Sequence, residues 1–279
     1  MIFGFRVISA VLSVLLLGMT AAFAADELAQ DPTDDDPEHN LTLGLGVGVT
    51  PAFEGSDDFR AFPVVPLSYD HRFVKVRTIG LGLEADISQS EYFDAGPMFI
   101  FRFARDDDVS NSRVARLPQV DASLELGGFL RSGLPLEMIG FDDPAIIFAQ
   151  ASIRQDVIGG HGGFVVEGST GILRPMTEKL TAILSLSTTY ASDKFMSSYF
   201  DVTAAGSAAS GLPAFDAGAG IKDVGLTTVL NYEINEKWST TFFGAYTRLI
   251  GDASDSPVVT VGGSENQVSA GFSLNYKFF

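Results

Sequence analysis

Gln267-Val-Ser-Ala-Gly-Phe-Ser-Leu-Asn-Tyr-Lys-Phe-Phe279 alternates. Val268, Ala270, Phe272, Leu274, Tyr276 and Phe278 share one face. Gln267, Ser269, Gly271, Ser273, Asn275 and Lys277 share the other. Side chains of a strand point to opposite faces in turn, so this is a strand with one apolar and one polar or glycyl face. The pattern recurs upstream. Leu41, Leu43, Leu45, Val47 and Val49 alternate with Thr42, Gly44, Gly46 and Gly48. Val120 to Leu126, Ile147 to Ile153, Leu180 to Leu186 and Val224 to Tyr232 repeat it.

Eleven such segments can be drawn, at about 41–50, 61–70, 73–85, 92–104, 117–130, 145–155, 162–173, 179–191, 218–233, 238–249 and 266–279. Many reach the roughly 9–11 residues that a tilted strand needs to cross a bilayer. Aromatic residues gather near their ends: Tyr92, Phe93, Phe101, Phe103, Tyr190, Tyr232, Trp238, Tyr246, Tyr276 and Phe278. Such rings favour the lipid–water boundary. The expected fold is all-β, a closed antiparallel transmembrane β-barrel, because closure leaves no strand edge in lipid. Bacterial barrels have even strand numbers, so twelve strands are expected, with ten as the alternative. The uncertain stretch is 59–87, where the apolar phase switches from Val74 and Val76 to Ile79, Leu81 and Leu83. A bulge or a break is implied there.

The N-terminus reads as an address. Arg6, the apolar run Val7 to Met19 and the small-x-small site Ala22-Phe23-Ala24 make a secretory signal peptide over 1–24. The segment 25–39, with DELAQDPTDDDPE at its centre, is an acidic leader expected to be disordered. The barrel would occupy 40–279. The net charge of −17 argues against a nucleic-acid partner, and the lack of cysteine excludes disulfides, thiolate metal sites and a lipoprotein anchor. Such a barrel would sit in the Gram-negative outer membrane, in contact with lipid and lipopolysaccharide.

No enzyme is legible. His39, His71 and His161 are scattered and give no metal spacing. Ser169 and His161 are too far apart along one strand and its loop to pair. His161 reads as a loop tip among glycines. The runs Asp57-Asp58, Asp106 to Asp108, Asp142-Asp143 and Asp252/Asp255 fall in loops. The glycines 44, 46 and 48 precede no helix, so they cradle no phosphate. No cofactor and no metal is expected. Asp121, Glu125, Arg154, Glu167, Asp223 and Lys277 would face the lumen. Either they favour cations in an open pore, or they pair across the barrel and plug it. Short turns at 174–179 and 233–237 would be periplasmic; the long segments 192–217 and 250–265 would be extracellular. The first of these could fold inward.

The stretch Tyr246 to Val259, YTRLIGDASDSPVV, with a last strand ending Tyr-Lys-Phe-Phe, resembles the MltA-interacting protein family, also called MipA/OmpV. Pro51-Ala-Phe-Glu-Gly-Ser56 is similar to that family's early segment, and DVIGGHGG at 156–163 and YFDVTAAGSAASGLPAFDAGAG at 199–220 follow in the right order. The resemblance implies an outer-membrane barrel acting as a scaffold between a lytic murein transglycosylase and a murein synthase; other members are described as porin-like. A narrow cation-preferring porin is therefore the alternative, and an outer-membrane hydrolase a remote third. Phe272, Tyr276 and Phe278 would form the signal read by the barrel-assembly machinery, with Phe279 one residue past the usual end.

Overall fold

Alternation of this kind leaves each strand with an outer apolar face, and pairing the strands in chain order bends them into a ring. The computed structural model describes residues 39–88, 90, 92–106 and 109–279. The expected signal peptide and the leader up to residue 38 lie outside the described residues.

The strands are β1 (His39–Pro51), β2 (Phe59–Val64), β3 (Leu67–His71), β4 (Val74–Ile79), β5 (Gly82–Asp86), β6 (Asp94–Arg102) and β7 (Ser123–Pro135). They continue with β8 (Ile146–Asp156), β9 (Phe164–Thr177), β10 (Leu180–Ala191), β11 (Gly220–Glu233), β12 (Trp238–Leu249) and β13 (Asn266–Lys277). Each pairs antiparallel with its neighbour, and β13 pairs back onto β1, which closes the ring. β2 and β3 both lie along β1, β2 on its later half and β3 on its earlier half, so together they form one broken stave. The barrel thus has twelve staves.

The uncertain stretch is resolved by a turn. Residues 73–85 are not one irregular strand but the short hairpin β4–β5, reversing at Gly80 (φ +52). The phase switch after Val76 is the signature of that reversal. Another boundary differs: 117–122 is loop, and β7 runs on to Pro135.

The outer face carries exposed Leu43, Leu45, Val47, Leu126, Leu130, Leu184, Leu186, Phe242, Phe272 and Leu274. Apolar surface of that extent is stable only against hydrocarbon. Phe272 and Phe278 are each about half exposed on this face, and Tyr276 stacks edge-on against both Trp238 and Phe278. Phe279 extends the seam, its carbonyl accepting from Leu41 N at 3.0 Å. Inside, the lumen is not uniformly polar. Phe148, Leu173, Ile183 and Val229 pack together on the inner face of β8–β11, and Ile79, Met98 and Phe129 form a second apolar cluster.

The glycines of β1 let the seam close. A Cβ on Gly46 would sit 1.9 Å from Phe272 O and 2.7 Å from Ser273 Cα, both backbone atoms that cannot yield. Gly46→Val is expected to abolish closure. The check is the faster migration of unboiled barrel on a gel: the variant should run as unfolded chain, and a normal compact band would contradict this account of the seam.

Candidate functional site

Long connections gather at one end of the barrel and short turns at the other. The long-loop end carries helices α1 (Asp193–Phe200), α2 (Ala204–Ser210), α3 (Asp252–Asp255) and α4 (Pro257–Thr260). On α1, Phe195, Met196, Tyr199 and Phe200 fall on one face and are all buried. They pack with Val120, Val165, Ala191, Ala217, Leu249, Ala253 and Val259 from the strand ends and α3–α4. The segment 192–217 therefore folds inward as a cap. Ser256 ties the pieces together: its hydroxyl donates to Phe200 O at 2.6 Å and accepts from Val258 N at 3.2 Å.

Arg105 pins the cap. Its guanidinium is buried and donates to Tyr199 O (2.7 Å), Ser198 O (3.2 Å) and Pro118 O (3.1 Å). The two α1 carbonyls lie at the C-terminal, partially negative end of that helix. Burial pulls this guanidinium down to about 10, which leaves it charged at neutral pH. Burial also pushes the Tyr199 phenol up to about 12.

Under the cap runs one continuous chain of ion pairs. Glu167 accepts from Arg154 Nη2 at 2.5 Å, and Arg154 Nε donates to Glu125 Oε2 at 3.0 Å. Arg102 Nε donates to Glu125 Oε1 at 2.5 Å, and its Nη1 to Glu54 Oε2 at 3.2 Å. Lys222 Nζ then bridges Glu54 and Asp223, the latter at 2.5 Å. Phe195 sits on the network, its ring 5.2 Å from the Arg102 guanidinium carbon and 5.5 Å from Lys222 Nζ.

His161 completes it. Asp156 collects the backbone N–H groups of Ile158, Gly159, His161 and Gly162 and so shapes the 157–163 loop. Gly163 N donates to His161 Nδ1 at 3.1 Å. Nδ1 is thus the acceptor, which leaves the proton on Nε2, 3.1 Å from Glu125 Oε1. With both ring nitrogens used, neither is offered to a serine hydroxyl.

Glu54 comes from the 52–58 loop and reaches into the lumen. Burial opposes its ionisation, but Lys222 and Arg102 outweigh burial and hold its carboxyl below the usual carboxylate range. The loop's grip on the network is thus fully present above the ordinary carboxylate pKa and is released only as the pH falls through the lower, folded value.

Four of the six expected lumenal charges, Glu125, Arg154, Glu167 and Asp223, are buried in this network. Two are not. Asp121 is exposed, because β7 begins only at Ser123 and the chain before it is held by an Arg105–Val120 bridge. Lys277 is exposed at the short-turn rim, where the strand ends. His161 is a buried strut rather than a loop tip. Glu54, Arg102 and Lys222 were not foreseen. Arg102 shares the inward phase of Met98 and Ile100. Lys222 is turned inward beside Asp223 by a bulge opposite Thr189/Tyr190. Its trace in the sequence is the phase slip from Ile221 to Val224.

The sequence model of the family described as "MltA-interacting protein MipA" matches residues 43–278, nearly all of the described barrel. The chain belongs to the MipA family. This MipA-family chain is an outer-membrane β-barrel. No curated protein matches it in sequence. Among solved structures it is similar to an outer-membrane channel from Pseudomonas putida F1, at 12% identity and a TM-score of 0.45, over 89% of this chain and 100% of that one. It is also similar to the NanC porin, at 10% identity and a TM-score of 0.44, over 84% of this chain and 98% of that one. The translocator domain of the autotransporter NalP from Neisseria meningitidis aligns at 9% identity and a TM-score of 0.39, over 90% and 92%. At such values the likeness is one of general architecture.

Proposed function

We propose that this MipA-family barrel is a non-enzymatic scaffold that holds murein synthesis and remodelling enzymes at the inner face of the outer membrane. The observation that carries this reading is the obstructed lumen. Paired charges, the Phe195 ring and two apolar clusters project into it and leave a cavity of about 380 Å³ among them. The family description names a partner class, a lytic murein transglycosylase. The short-turn end, periplasmic in barrels of this kind, presents Met138, Ile139 and Phe141 well exposed on the connection between β7 and β8. Apolar side chains projecting from a rim suit a protein partner.

Tagged chain, captured from detergent-solubilised envelopes, is expected to bring down a lytic transglycosylase and a murein synthase above an untagged control. Replacing Met138, Ile139 and Phe141 by serine should cut that recovery at least tenfold while the barrel keeps its compact gel mobility. Recovery of no murein enzyme would remove the scaffold reading.

The alternative, a narrow cation-preferring porin, draws on the excess of acids in the network, four against three permanent cations (Arg102, Arg154 and Lys222). It requires discrete cation-selective steps in a planar bilayer. The scaffold reading expects the folded parent protein to be silent there.

A further inference from the structure

The barrel wall is incomplete at one place. Because β4 and β5 turn back at Gly80, pairing between β5 and β6 stops at Gly82–Ile100, apart from one bond from Phe101 N to Leu81 O. Above that level β6 has a partner only on its β7 side, and β2 pairs only with β1. Two strand edges therefore face one another across a gap. Its lower sill is fixed where the broken stave bends: Thr78 Oγ1 accepts from Leu67 N at 2.9 Å and donates to Val65 O at 3.2 Å. Its upper lintel is Arg60, whose guanidinium carbon lies 4.6 Å from the Phe103 ring centre. Pro63 on β2 has no N–H, as suits an edge left unpaired in an apolar medium.

A cavity of about 380 Å³ runs inward from this gap. Among its lining residues, Phe62, Val64, Gly80, Leu81, Phe101 and Phe103 come from the edges of the gap and the Gly80 turn, and so form its mouth on that side. Phe243, Tyr199, Thr227 and Asp223 line it from other elements. The outer residues flanking the mouth, Val47, Val49 and Phe59 on one side and Phe101 and Leu126 on the other, belong to the exposed apolar band. The mouth thus opens on lipid.

The ion pairs that line the cavity are neutral in sum: Glu54, Glu167 and Asp223 against Arg102, Arg154 and Lys222. Two buried oxygens on the same face of β11, four residues apart, have no hydrogen-bond partner among the described residues: Asp223 Oδ1 and Thr227 Oγ1. Unsatisfied buried polar atoms are unfavourable unless something meets them. Both can accept from a donor. The volume suits a small molecule, and an apolar pocket with a few convergent polar atoms is the usual form of such a site.

We propose that this gap is a lateral portal through which a small neutral amphiphile, an apolar or aromatic body carrying one hydroxyl, passes between the outer membrane and the lumenal cavity. Its body lies between Phe62, Phe101 and Phe243, and its hydroxyl meets Thr227 Oγ1. This role is separate from the scaffold reading and stands or falls without it.

The probe is 1-naphthol, added to proteoliposomes of the refolded barrel and followed by its fluorescence. One saturable site is expected. Leu81→Trp, and independently Val64→Trp on the opposite jamb, should slow association at least tenfold while leaving Kd within about threefold. Thr227→Val should do the reverse, weakening 1-naphthol about tenfold and leaving naphthalene unchanged. Each variant is first required to show the compact gel band, and the two jamb variants back each other up. Absence of saturable binding overturns the site. Saturable binding whose rate neither jamb variant alters overturns the lateral route.

Discussion

Glu125→Ala is expected to destabilise the barrel by about 3–5 kcal/mol, the range found when one member of a buried ionic cluster is removed. The reason lies in what remains. Glu125 is fully buried and serves Arg102, Arg154 and His161 at once. Its loss leaves two guanidinium groups whose only remaining carboxylate partners among the described residues are Glu54 and Glu167, with Ser152 still accepting from Arg154. Glu125→Gln keeps the volume and one acceptor and should fall between. Asp121→Ala, four residues earlier and exposed, should stay within about 0.5 kcal/mol of the parent. The measurement is the urea midpoint of the refolded protein, read from loss of the compact gel band. Equal midpoints for the two alanine variants would refute the network as a structural element.

That pair of variants also shows what the sequence could and could not carry. Period-two alternation names the faces of a strand, and it placed Glu125, Arg154, Glu167 and Asp223 inward. It does not say where a strand ends, so Asp121 and Lys277 were assigned by phase to a lumen that does not extend to them. It fails at a bulge, where Lys222 and Asp223 both turn inward. It is silent on loops: Glu54 enters the network from a connection that has no period. Short staves are hidden for the opposite reason. β4 and β5, six and five residues long, join into what reads as one strand with a slip. The cap was legible only as a long segment able to fold inward, since its contacts come from distant parts of the chain: the 103–122 loop, β9 and 249–259.

Arg105→Ala should release that cap while sparing the barrel. Arg105 is a buried cation whose hydrogen-bond partners among the described residues are three carbonyls, two of them closing the end of α1. Hydrogen bonds from a charged donor contribute about 1.5–3 kcal/mol each, and carbonyls left unmet in a buried site cost more than the mean. The contributions are not additive; a net loss of about 3 kcal/mol corresponds to roughly a hundredfold rise in the open population. Lys194 lies exposed on α1, so trypsin reports that opening directly. Cleavage at Lys194 should accelerate about a hundredfold in Arg105→Ala with the compact gel band unchanged. Arg105→Lys should recover only part of the protection, because a single ammonium cannot present the guanidinium fork to carbonyls on both α1 and the 103–122 loop. An unaltered cleavage rate would mean that the apolar packing and the Ser256 and Ser198 bonds hold the cap without Arg105. Accelerated cleavage with the barrel intact would make the cap a separately opening unit, in which Arg105 is a main tie beside the Ser256 bond and the apolar contacts.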